Sequence, residues 1–201
     1  MTCGRRARHL LATLALFGGT TLASACGFED PKGADAARGA VNWIYPDALH
    51  VTSAVWRAQL AGVIERAPAA KSLFAYQTAT IRLTALGDRL SGEAATPGFS
   101  VLLIGPMLWS QYRAEHAGLT VIHHRERAGA DDVVIVTDEH VVAALVAGRL
   151  TASAAAERGL LRFYGRPGEV QHLASIFAHK FDQNPAIAMV KPDKISGSDN
   201  D

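Results

Sequence analysis

The hydrophobic period changes at Thr96-Pro97-Gly98, and that change constrains the fold more than any other feature of this 201-residue chain. Upstream, apolar residues recur at helical spacing. Ser53 or Thr52 can cap a helix to about Arg66, with Val55, Trp56, Leu60, Val63 and Ile64 on one broad stripe and Pro68 beyond its end. A second helix over about 72–90 carries Leu73, Phe74, Tyr76, Ile81, Leu86 and Leu90, and Ser91-Gly92 marks the loop after it. Downstream the runs become short, alternating or β-branched. Residues 99–104 form an apolar run broken by Gly105-Pro106, and strands are expected over 108–112, 119–126 and 133–136, the last two parted by the turn-like Ala128-Gly129-Ala130-Asp131. Thr137 or Asp138 then caps a helix to about Ala147, with Gly148 at its end, and Thr151 caps a short helix ending at Gly159. Residues 160–164 read as a strand. Pro167 and Glu169 open a last helix with Val170, Leu173, Ile176 and Phe177 on one face. The expected class is α+β: two N-terminal helices, then a twisted, mostly antiparallel sheet of four to five strands covered by helices.

The first 25 residues read as an export signal. Arg5, Arg6 and Arg8 precede an apolar run from Leu10 to Phe17, followed by small residues up to Cys26. Two peptidases can read its end. Ala23-Ser24-Ala25 is an A-x-A site, and cleavage after Ala25 would release a soluble periplasmic protein. The stretch Leu22-Ala23-Ser24-Ala25-Cys26 also resembles a bacterial lipobox, although Ala23 stands where that pattern prefers leucine. That resemblance implies acylation of Cys26 and a membrane-anchored lipoprotein facing the periplasm. Arg8 stands where a twin-arginine signal wants an apolar residue.

Cleavage after residue 25 of 201 leaves about 176 residues, enough for one domain with a core. The expected organisation is a signal over 1–25, a tether over 26–36, a single domain over 37–180 and a flexible tail over 181–201. The signal holds three of the 20 basic residues and none of the 19 acidic ones. The remainder therefore carries 17 against 19, a formal charge of −2, which does not suggest a nucleic-acid surface. Of two cysteines, Cys3 leaves with the signal, so Cys26 has no partner for an intramolecular disulfide. No apolar run after the signal reaches the roughly 20 residues of a spanning helix.

From about residue 99, and chiefly over 132–177, the chain resembles the C-terminal half of the sterol-carrier-protein family. The stretches that carry this are Asp132-Val133-Val134-Ile135-Val136-Thr137-Asp138-Glu139, Leu145-Val146-Ala147-Gly148-Arg149-Leu150-Thr151 and Ala154-Ala155-Ala156-Glu157-Arg158-Gly159-Leu160-Leu161-Arg162-Phe163-Tyr164-Gly165. The N-terminal half departs from the family, with two helices before the sheet and Gly105-Pro106 interrupting the first strand. The resemblance implies non-covalent binding of a lipid or other apolar molecule between sheet and helices. The pocket would be lined by Val142, Leu145, Val146, Leu161, Phe163, Leu173 and Phe177. The same residues serve equally as the closed core of a structural or accessory module in an envelope complex, bound to a protein partner and to no ligand.

Motifs for chemistry are sparse, and no enzyme, cofactor or metal site is expected. Ser53, Ser110 and Ser153 lie in no G-x-S-x-G elbow, and neither a dinucleotide fingerprint nor a P-loop occurs. In His123-His124-Arg125-Glu126, strand alternation puts His124 and Glu126 on one face and His123 on the other, too few ligands for a metal. Asp47 and His50, beside Trp43 and Tyr45, can pair for proton transfer or fix a buried turn. Trp109 and Tyr112 can form an exposed aromatic patch for a partner, or close a core edge.

Overall fold

The structure, a computed structural model, describes residues 31–66, 74–92, 96–115 and 118–183. The signal, Cys26, the start of the tether, His116, Pro68, Ser72, Leu73 and the tail from 184 onward lie outside the described residues. The fold is α+β, with six helices and one five-stranded mixed sheet among the described residues.

Among the described residues three helices precede the sheet rather than two. α1 (Pro31–Ile44) begins inside the segment read as a tether. Its proline stands at the first helical position, where no amide hydrogen is needed, and alanine is the commonest residue along the rest of the helix. Ala34 and Val41, two turns apart, carry its buried side, too small a stripe to stand out in sequence. α2 (His50–Leu60) starts ahead of both expected caps, two residues before Thr52 and three before Ser53. The Ser53 hydroxyl donates to the His50 carbonyl from within the helix rather than capping it. The helix stops at Leu60, short of Arg66, because Gly62 turns left-handed and the Val63 amide closes onto the Ala58 carbonyl at 2.9 Å. α3 is Ala75–Leu90.

The strands are β1 (Phe99–Leu103), β2 (Leu108–Glu115), β3 (Gly118–Arg125), β4 (Val133–Thr137) and β5 (Arg162–Tyr164), in spatial order β3-β2-β1-β4-β5. Only the β1–β4 pairing is parallel. Gly105-Pro106 lies in the turn of the β1–β2 hairpin, so the expected break is a reversal of the chain. α4 (Glu139–Val146), α5 (Ala152–Glu157) and α6 (Pro167–Phe181) complete the expected order strand, helix, short helix, strand, helix. Asp138 caps α4 by accepting from the His140 amide, and Thr151 caps α5 by accepting from the Ala154 amide. Thr137, the other candidate cap, instead ends β4, and its hydroxyl donates to the Leu160 carbonyl at 2.9 Å.

Pairing registers assign the two sheet faces. On the face covered by α3 and α6, Phe99 stacks on Tyr112 with ring centroids 4.3 Å apart, and Phe177 meets both Phe99 and Phe163 edge-on. Tyr112 donates to the Leu83 carbonyl of α3 at 2.8 Å. The other face carries Leu102, Trp109, Val136 and Tyr164. There Tyr45, just past α1, lies 6.0 Å from Trp109 and 5.3 Å from Tyr164, while Arg38 of α1 donates to the Gly105 carbonyl. Helical segments thus cover both faces.

Candidate functional site

The seven residues expected to line an apolar pocket lie in the packed interior. Val142, Leu145, Leu161, Leu173 and Phe177 are buried, and Val146 and Phe163 are half-buried against the same cluster. Phe177 meets Phe163 and Phe181 ring to ring, each with centroids 5.6 Å apart.

Trp109 and Tyr112 do not form an exposed patch, and this corrects the partner-patch expectation. Three positions apart on β2, they point to opposite faces, and both are buried: Trp109 beside Tyr45, Tyr112 under α3. Burial raises the Tyr112 phenol well above its ordinary value.

A bulge reorganises the histidine cluster. Ser110 pairs with His123 but Trp109 pairs with Arg125, so His124 is an extra residue, held at φ 58°. The simple alternation expected for this segment therefore fails. His123 faces α3, with Nδ1 3.0 Å from the Ser110 hydroxyl and Nε2 3.1 Å from the Thr84 hydroxyl. Partial burial lowers its pKa. Ser110 is fully buried and His123 half-buried. The His124 ring meets Tyr76 edge-on at 5.9 Å.

Beyond the bulge opens a polar cleft of about 580 Å³, lined by Gln111, Arg113, His124, Arg125, Glu126 and Arg127 and by the loop after them. Its floor is a hydrogen-bonded network. Asp132 Oδ2 accepts from Ser100 Oγ at 2.5 Å, Gln111 Nε2 at 2.9 Å and the Gly129 amide at 3.1 Å, and Arg113 donates to Gln111 Oε1 at 3.2 Å. The loop over 126–132 must cross the ends of β2 and β1 to bring β4 beside β1. Asp132 fastens that crossing, and Gln111 passes the orientation on to Arg113 at the cleft wall. Three guanidinium groups against one exposed carboxylate make the cleft suited to an anionic group.

Asp47 and His50 do come together, at 3.4 Å, with Arg162 at 3.9 Å from the other carboxylate oxygen. Their side chains are 58% and 69% exposed, so the pair sits in solvent and fixes no buried turn. Among the described residues, no three His, Cys, Asp or Glu side chains gather as metal ligands, and no helix is long and apolar enough to cross a membrane.

The surface feature that sequence reasoning passed over lies on α1 and α2. Leu49, Trp56 and Leu60 form an exposed stripe on α2, opposite the buried Val51, Ala54, Val55 and Ala58. On α1 the exposed residues are Asp35, Ala36, Gly39, Ala40, Trp43 and Ile44, with Asp35 the one charge among them. Between the helices runs an open groove of about 680 Å³, lined by Asp35, Arg38 and Gly39 from one side and Leu49 and Trp56 from the other. One sign of it stands in the sequence: Trp56 and Leu60 cannot share a narrow stripe with Val55 at 3.6 residues per turn. No protein-family profile, curated protein or solved structure matches the chain at a significant level.

Proposed function

We propose that this protein is an exported envelope lipoprotein, anchored through Cys26, whose α+β domain is a non-enzymatic interaction module with a filled core. The observation that supports this reading is the packing of Leu145, Leu161, Phe163, Leu173 and Phe177 into one cluster, as a filled core requires. Binding then belongs to the surface. The cleft of Arg113, Arg125 and Arg127 offers it a place, and an acidic segment of an envelope protein is the partner its charge favours. Native mass spectrometry of the detergent-extracted protein tests the reading. The expected spectrum has no non-covalently held lipid, and a co-purifying partner is lost in the Arg125→Ala/Arg127→Ala variant. A stoichiometric apolar ligand that survives extraction would return the function to the interior and overturn the proposal.

A further inference from the structure

We infer that the exposed face of α1 and α2 seats on the phospholipid surface beside the anchor, with Trp43 and Trp56 at the level of the lipid headgroups; this rests on the lipid-anchored reading of Cys26.

Helix α2 is apolar on two sides. One side fills the core through Val51, Ala54, Val55 and Ala58, and the other presents Leu49, Trp56 and Leu60 to the outside. Trp56 is 62% exposed and Leu60 53%. A surface helix that only covers a core has no use for a second apolar stripe. The neighbouring helix repeats the pattern. Trp43, 89% exposed, stands one turn beyond Gly39, which lines the shared groove, and Ile44 is next to it at 68%.

Position in the chain selects the occupant. Pro31, where α1 starts, is five residues after Cys26, so an anchor on that cysteine holds α1 within about 17 Å of the lipid surface. Asp35, one turn into α1, lines the same groove as Trp56. A tether that short brings this face, rather than the far side of the sheet, against the bilayer. Tryptophan is the residue that such a boundary favours, with a large apolar body and one indole N–H for the headgroup region. Asp35, the charge at the groove edge, is paired with Arg38, which also donates to the Gly105 carbonyl. The ion pair removes a bare carboxylate from the approach to an anionic membrane.

The test uses the full-length mature protein, purified with its native N-terminus and reconstituted into phosphatidylethanolamine–phosphatidylglycerol vesicles whose acyl chains are brominated. Bromine quenches indoles at the acyl boundary. Of the three tryptophans, Trp109 is buried against Tyr45 and serves as the internal reference. The inference expects a blue shift and loss of emission in the wild type, and neither in the Trp43→Phe/Trp56→Phe variant, whose conservative changes at exposed sites leave the far-ultraviolet circular dichroism unchanged. The mass of the N-terminal peptide, measured on the same sample, separates anchoring from seating. An acylated Cys26 with unquenched Trp43 and Trp56 overturns the seating and leaves the anchor standing, the more so if the extracted protein is a dimer that covers this face with a second copy. An unacylated Cys26 removes the anchor and the inference with it. Equal quenching in the double variant assigns the signal to Trp109 and also overturns the inference.

Discussion

Val55 and Trp56 are neighbours in sequence, about 100° apart around α2, yet Val55 is 8% exposed within the core and Trp56 62% exposed on the outer stripe. Their substitutions should therefore part company. Val51 and Val55 support the fold, and Val51→Ala is expected to cost about 1–3 kcal/mol, from lost burial and an unfilled space. Trp56→Gln is expected to stay within about 0.5 kcal/mol of wild type, as surface changes do. Urea denaturation of the two variants checks the contrast; a large loss on Trp56→Gln would mean the stripe is structural.

Gly87 is placed by close approach rather than by turn geometry. A Cβ there would meet Val121 Cγ2 at 2.7 Å and Tyr112 Cε1 at 3.3 Å, so α3 can lie on β2 and β3 only without a side chain at this position. Gly87→Ala is expected to destabilise by about 1–3 kcal/mol despite alanine's better helix propensity. Adding Val121→Ala should recover part of that loss. A double-mutant cycle from chemical denaturation reads the coupling.

Asp132 fastens the crossing loop by accepting from Ser100, Gln111 and the Gly129 amide, and Ser100 and Gln111 are themselves buried. Asp132→Ala leaves these donors without their acceptor, for an expected cost of about 1–3 kcal/mol. Gly129→Ala should act on the same network, since its Cβ would lie 2.3 Å from Gln111 Nε2 and 2.6 Å from Asp132 Oδ2. Amide hydrogen exchange should localise the faster opening of both variants to residues 126–132 and the start of β4.

Two histidines should titrate in opposite directions. The hydrogen bond from His140 Nδ1 to Asp138, at 3.0 Å, raises the His140 pKa against the opposing effect of burial, and the neighbouring Glu139 adds to the rise while Arg82 opposes it. Its contribution to stability is therefore complete below the unfolded value of about 6.5 and is lost as pH climbs through the higher folded value. His123, lowered by burial, has the opposite sign: folding is unaffected by it above about pH 6.5 and loses stability as pH falls below that. Imidazole proton shifts followed against pH by NMR should place His140 above and His123 below the free value. Replacing either by Gln should flatten the matching limb of the stability–pH curve.

Tyr112 should stay protonated in the native state well beyond the ordinary phenol range, because it is buried and donates to the Leu83 carbonyl. Half-buried Tyr45 and Tyr164 shift the same way, each mainly through burial. An alkaline titration of tyrosinate absorbance is expected to show Tyr112 ionising only with unfolding, and stability falling as pH rises past about 10, where the unfolded chain loses the proton first.

Local chemistry made much of the C-terminal half readable. Asp138 and Thr151 are caps, Gly148 and Gly159 take left-handed backbone, and Pro167 opens α6, each fixed by its own few residues. What depends on distant pairing was not readable. The parallel β1–β4 pairing leaves no mark in either strand, and the bulge that turns His124 out of alternation exists only relative to β2. α1 escaped because alanine and glycine give a helix no apolar contrast. Trp109 and Tyr112 went from patch to core because the layers above the sheet, not the strand, decide their burial. The seven expected pocket residues do face inward. Whether inward means wall or filling is a matter of packing, which no periodicity encodes.

Attachment to the membrane through Cys26 is the central claim, and the intact mass of the mature protein extracted from the membrane fraction tests it most directly. The predicted result is an N-terminus at Cys26 carrying acyl chains, with Cys26→Ser abolishing both the added mass and membrane recovery. An unmodified N-terminal cysteine on a protein recovered from the soluble periplasmic fraction would contradict it.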